Sequence, residues 1–166
     1  MQKKIHAQAA VELLSYAAFF LLAFVATAVV FLQLQGQELA RAENAYAQEI
    51  AYQFADYIQV AFVAGPGFRQ NVTMPERLLD KPYEIAVSHG AAPGTNETGF
   101  VYVNWEGPVR NSTFSAPTIT SNYNATTYGS LITVNGDFYV INPGTSDGSV
   151  VQIENIGGAI RFSRPS

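Results

Sequence analysis

Cysteine is absent from the chain, which excludes disulfides, a thiolate nucleophile and cysteine metal ligands. The absence does not fix the compartment, because an exported domain can be held by packing alone. Histidine occurs only twice, as His6 near the amino terminus and as His89 in Ser88-His89-Gly90. Asp80, Ser88 and His89 include the residue types of a hydrolase triad. Neighbours at a strand end point in opposite directions, however, and no Gly-x-Ser-x-Gly context surrounds the serine. A solvated loop histidine is the expected reading, with no catalytic residue, no cofactor and no enzyme activity.

Runs of basic residues are also missing. The net charge is −4, and without a Lys/Arg cluster there is no counterion-release footprint, so nucleic acid is excluded as a partner. Proline is missing before Pro66, and Gly36 is the only glycine between Ala9 and Ala64. A single long helix is therefore permitted over 9–64, on the order of 80 Å long, more than twice a bilayer core. Gly65-Pro66-Gly67 ends it. A phosphate-binding loop would need a following Lys-Ser/Thr, which this stretch lacks.

An uncharged, strongly apolar run extends from Leu13 to Leu34, 22 residues preceded by Lys3-Lys4. Length and composition predict a membrane span, with the lysines holding the amino terminus on the cytoplasmic side and the remainder exported. An ordinary secretory signal has a shorter apolar core with its small-residue cleavage site after it. Here the Ala7-Gln8 junction and Glu12 both stand before the core.

These features resemble the archaeal branch of the type IV pilin superfamily, whose members carry a class III signal peptide. The resemblance rests on Ala7, on Gln8 as first mature residue, on Glu12 at the fifth mature position and on the apolar helix that follows. His6, Ala7 and Ala10 depart from the residues commoner there. The resemblance implies cleavage between Ala7 and Gln8 by a prepilin peptidase, a leader of residues 1–7, and assembly determinants at Gln8 and Glu12. Loss of Lys3 and Lys4 with the leader would take the charge from −4 to −6. It further implies a lollipop-shaped subunit, a single-pass membrane protein before assembly and an extracellular surface filament after it. The partners implied are other copies of the chain in a helical homopolymer, the membrane and the pilus assembly machinery.

Beyond the apolar run the helix carries Glu38, Arg41, Glu43, Glu49 and Asp56, so it has left the lipid. Leu39, Tyr46, Ile50, Phe54, Tyr57, Ile58, Ala61 and Phe62 recur at helical spacing, which predicts a face packed on the chain's own β-domain. Alternation then predicts strands at Tyr83–Val87, Phe100–Trp105, Ser130–Val134, Phe138–Ile141, Val150–Ile153 and about Ala159–Phe162. Asn71–Pro82 reads as a connector, Pro117–Tyr128 as a loop or weak edge strand, and Asn135-Gly136 as a type I′ hairpin turn. The expected class is α+β: a helix over 8–64, membrane-spanning or filament core over 13–34, packed on a small antiparallel sheet within an exported domain over 65–166.

Two groups of side chains remain. Asn135, Asp137, Asn142 and Asp147 are oxygen donors that Ca²⁺ accepts from loops, but their spacing matches no EF-hand and such residues are frequent in turns, so no metal site is assigned. Asn71, Asn96, Asn111 and Asn124 each begin an Asn-x-Thr or Asn-x-Ser/Thr acceptor sequence, here read as loop sites for glycosylation on the exported side. The functional expectation is a structural subunit of an adhesive pilus-like filament. The alternatives are a minor or tip pilin, and a membrane-anchored protein that never polymerises and binds a surface protein or a sugar.

Overall fold

The structure, a computed structural model, describes residues 2–88, 98–107, 111–125 and 127–165, with the backbone alone over 2–10. Helix α1 spans Gln2–Ala64. The chain divides into two compact units, Met1–Arg41 and Ala42–Ser166.

The first unit is helix throughout. From Val11 to Leu34 nearly every side chain is exposed, among them Leu13, Phe19, Leu22, Phe24 and Phe31. Two hydroxyls within the run are satisfied locally. Ser15 Oγ donates to the Val11 carbonyl at 2.9 Å and Thr27 Oγ1 to the Ala23 carbonyl at 2.8 Å, so these hydroxyls need no water. The segment is long and apolar enough to cross a membrane.

Among the described residues the second unit joins the end of α1 to nine strands: β1 Arg69–Thr73, β2 Tyr83–Ser88, β3 Gly99–Glu106, β4 Asn111–Thr118, β5 Tyr123–Ala125, β6 Ile132–Asn135, β7 Phe138–Ile141, β8 Val150–Ile156 and β9 Ala159–Ser163. They form a four-stranded sheet in the order β1-β8-β9-β5 and a five-stranded sheet in the order β4-β3-β2-β7-β6. The α+β class stands as expected, with two sheets where one small sheet was expected. All pairs are antiparallel except β5 with β9, which is parallel.

One buried cluster takes residues from both sheets and from the helix. Along α1 the buried positions are Glu43, Ala47, Ile50, Ala51, Phe54, Ala55, Ile58 and Ala61, a stripe at three- and four-residue steps. The expected face is therefore present, but shifted. Leu39 and Phe62 are exposed, and Ala47, Ala51 and Ala55 are buried. Phe54 stacks on Phe162 of β9 with ring centroids 5.9 Å apart. Burial of a side chain such as Phe54 or Ile58 contributes about 1.5–3 kcal/mol. Because this stripe belongs to the folded body, the compact unit begins at Ala42 rather than at Gly65.

The helix stops at Gly65, whose φ of 85° suits glycine. Asn155 of β8 secures the end: its Nδ2 donates to the Ala61 carbonyl at 3.0 Å, an acceptor the helix itself leaves unpaired. Its backbone carbonyl accepts the Gly67 amide at 2.9 Å.

Two local expectations are corrected, and a third takes its edge-strand form. Arg69–Thr73 lies in the expected turn-rich beginning of the domain and in part of the connector, yet it is a strand paired with β8. The β6–β7 turn closes on the Asn135–Phe138 pair, and only Gly136 has positive φ, 59°. A type I′ turn requires positive φ at both central residues, so the central pair is Gly136-Asp137, with glycine first as in type II′. The Pro117–Tyr128 stretch contains the end of β4 and all of β5, with Pro117 in the edge strand β4, where a missing amide hydrogen is tolerated.

Candidate functional site

The positions that the sequence singles out fall into two groups, one on α1 and one on the sheets. Ala7 and Gln8 both lie in helical backbone, since α1 begins at Gln2. Glu12 is exposed, in line with the exposed Val11, Leu13, Leu14 and Tyr16. It sits about three turns from the start of α1, so in the uncut chain the amide-rich first turn does not stabilise it. Cutting before Gln8 would bring Glu12 into the first turn and put a new amine four residues away on the same face.

Of the four acceptor asparagines, Asn96 lies outside the described residues. The other three are on strands, not loops: Asn71 in β1, Asn111 at the start of β4 and Asn124 in β5. All three are exposed. The Asn71 side-chain oxygen accepts from Gln152 Nε2 at 3.0 Å.

Asn111 opens into a cleft of about 520 Å³ bordered by Tyr83, Glu84, Asn104, Trp105 and Glu106. Beside it Glu84, Asn104 and Thr113 stand in register across three strands. Asn104 Nδ2 donates to Glu84 Oε1 at 2.9 Å, and Thr113 Oγ1 donates to Asn104 Oδ1 at 2.8 Å. This chain of bonds fixes the amide orientation and leaves further acceptor capacity on the Glu84 carboxylate.

Of Asn135, Asp137, Asn142 and Asp147, two bond to Ser130. Asp147 Oδ2 accepts from both the amide and the hydroxyl of Ser130, each at 2.8 Å. Those bonds, the amide first, hold the Asp147 carboxyl below its ordinary value. Asn142 Nδ2 donates to the Ser130 carbonyl at 3.1 Å. Both side chains thus brace the turn before β6. Among the described residues no cluster of three His, Asp or Glu side chains could hold a metal ion.

His89 lies outside the described residues. Ser88 ends β2 while Asp80 precedes its start, and Ser88 Oγ accepts the Phe100 amide at 3.2 Å. The Gly67 amide is already given to Asn155, which leaves the Gly65-Pro66-Gly67 stretch as a helix stop.

Sequence reasoning missed two buried ionic nodes. Glu43 pairs with Lys81 at 2.5 Å and accepts the Trp105 indole N–H at 3.3 Å. Glu154 accepts from Arg69 at 2.7 Å and Arg161 at 2.6 Å, and those two bonds, Arg69 first, hold its carboxyl below the ordinary value. Their partners are far apart in sequence, and no local spacing signals them. No family model, no curated protein and no solved structure matches the chain.

Proposed function

We propose that the chain is an exported structural subunit of a pilus-like filament, cut between Ala7 and Gln8, anchored in the membrane by α1 before assembly and polymerised through the same helix. The observation that carries this reading is the state of Leu13–Leu34: a helical, uncharged stretch behind Glu12, with its apolar side chains exposed and the Ser15 and Thr27 hydroxyls internally bonded. Such a surface must be covered by lipid or by other helices. Ala17, Ala18, Ala23, Ala26 and Ala28 allow close helix approach, so one surface serves both environments. The second unit would form the outer layer, carrying glycans at exposed asparagines and adhering to surfaces.

Electron microscopy of sheared surface filaments, with mass spectrometry and amino-terminal sequencing of their main band, tests the proposal. The expected result is this chain as the main component, beginning Gln-Ala-Ala-Val-Glu. A protein confined to the membrane and absent from any filament would favour an anchored binding protein. A start at Met1, or beyond Leu34, would remove the pilin-type processing.

A further inference from the structure

The outward face of the five-stranded sheet can be read directly from its register. Asn111 lies opposite Glu106, Thr113 opposite Asn104, Ser115 opposite Tyr102 and Pro117 opposite Phe100, and in this face the side chains alternate with the buried ones of β3. Asn111 is therefore on the same face as Tyr102, roughly 13 Å away along β3.

Two adjoining depressions, together the trough, lie between them. The 520 Å³ cleft at Asn111 shares Glu84 and Asn104 with a second depression of about 220 Å³. The floor of that depression is Ala86 and Val140, and Tyr102, Phe138 and Asn135 border it. Tyr102 meets Phe138 edge to face with centroids 5.7 Å apart, and Phe100 extends the aromatic strip. Ala86 and Val140 are buried although they belong to the outer face. The trough is thus half aromatic and half polar, with a carboxylate and amides on one side and ring faces on the other.

That combination fits a sugar. A pyranose has an apolar C–H face that stacks on an aromatic ring and a rim of hydroxyls that donate to carboxylates and amide oxygens. We infer that the glycan attached to Asn111 folds back along this trough, its first residues in the cleft beside Glu84 and Asn104 and its next against Tyr102 and Phe138. The inference rests on the glycoprotein reading given above. The occupant is the chain's own modification because its attachment point opens into one end of the trough. The glycan then acts as an additional layer of the sheet and shields its aromatic strip from water.

The test uses full-length protein from a glycosylating host, in mild detergent. Mass spectrometry of the peptide containing Asn111 comes first. Bare asparagine at every acceptor would overturn the glycoprotein reading and the inference together. A bare Asn111 beside modified Asn71 or Asn124 would overturn the inference alone. With the glycan present, Asn111→Gln should lower Tm by roughly 3–6 °C, while Asn71→Gln and Asn124→Gln leave it nearly unchanged. The drop should vanish in a Phe138→Ala background, or in Tyr102→Ser if Phe138→Ala fails to fold, and in protein made without glycosylation. An unchanged Tm, or an equal drop in both backgrounds, overturns the inference. So does saturable binding of the released oligosaccharide to Asn111→Gln protein without any Tm effect of the attached glycan, since the trough would then serve sugars of another molecule.

Discussion

Lys81 Nζ lies 2.5 Å from Glu43 Oε1, and Glu43 is only 1% exposed. The ion pair ties α1 to the segment before β2, and the Trp105 indole on the other carboxylate oxygen ties both to β3. Lys81→Met should leave a buried carboxylate with the indole alone. The expected loss is about 3 kcal/mol, at the low end for a broken buried pair because the lysine side chain still meets water. Glu43→Gln should cost less, since the amide keeps a bond to Trp105. Urea unfolding followed by fluorescence of Trp105, the single tryptophan, measures both.

Gly99 is the second sensitive point. A Cβ there would meet the Thr120 carbonyl oxygen at 2.4 Å and the Tyr123 hydroxyl at 2.6 Å. Gly99→Ala should therefore cost about 1–3 kcal/mol by overpacking. Gly36→Ala, where nothing lies within 4 Å, should instead strengthen α1 by about 1 kcal/mol. Thermal melts followed by circular dichroism would separate the two, and a tolerated Gly99→Ala would contradict the close approach.

The pH dependence follows from Glu154. Its carboxyl is lowered from an ordinary 4.5 by the Arg69 and Arg161 hydrogen bonds, so the unfolded chain binds the proton more readily. The stabilisation is complete above that ordinary value and is lost as pH falls through the lower folded value. Stability should be level from neutrality to about pH 5.5 and decline below it. Glu154→Gln should flatten the decline, and Asp147→Asn should remove a further part in the same window. Urea midpoints measured across the acid range would show it, and an unaltered acid limb in Glu154→Gln would refute the assignment.

Much of this arrangement was legible in the sequence because the relevant signals are local. Leu13–Leu34 is a membrane-length run, and Tyr83–Ser88 and Gly99–Glu106 alternate cleanly enough to be read as strands. β1 was not legible: Val72 is the only apolar residue among Arg69, Gln70, Asn71, Val72 and Thr73, and its pairing with β8 is a long-range fact. β4 turns Ser112, Phe114, Ala116 and Thr118 inward, a mixture of small and polar side chains that hides the period. The helix stripe was legible at Ile50, Phe54, Ile58 and Ala61, whereas Glu43, Ala47, Ala51 and Ala55 complete it with a charged and three small side chains that hydrophobicity alone does not single out. The aromatic trough depends on a register shared by β2, β3, β4 and β7, and no single segment of the sequence contains it.

On the proposed filament reading, Glu12 should be required for assembly and dispensable for folding. A carboxylate within a bilayer core costs about 2.5–3.5 kcal/mol at the centre and less near the interface. Pairing with the amine released at Gln8 of an adjacent subunit would offset that cost and set the axial register. Glu12→Gln should be inserted, cut and folded, with the second unit as protease-resistant as in the parent, yet yield few filaments by electron microscopy. Filaments of normal number and length would assign Glu12 to the start of the helix alone.

The Asn155–Ala61 bond joins positions 94 residues apart, and β8 and β9 provide the two central strands of the four-stranded sheet. Synthesis proceeds from the amino end, so the stripe from Ala47 to Ala61 leaves the ribosome long before Phe162 can cover it. Such non-local closure is slow. The nascent chain must therefore remain unfolded, or be held by a chaperone, until its last strand appears. Removing residues 159–166 should consequently produce no shortened domain, only a second unit that a protease digests completely.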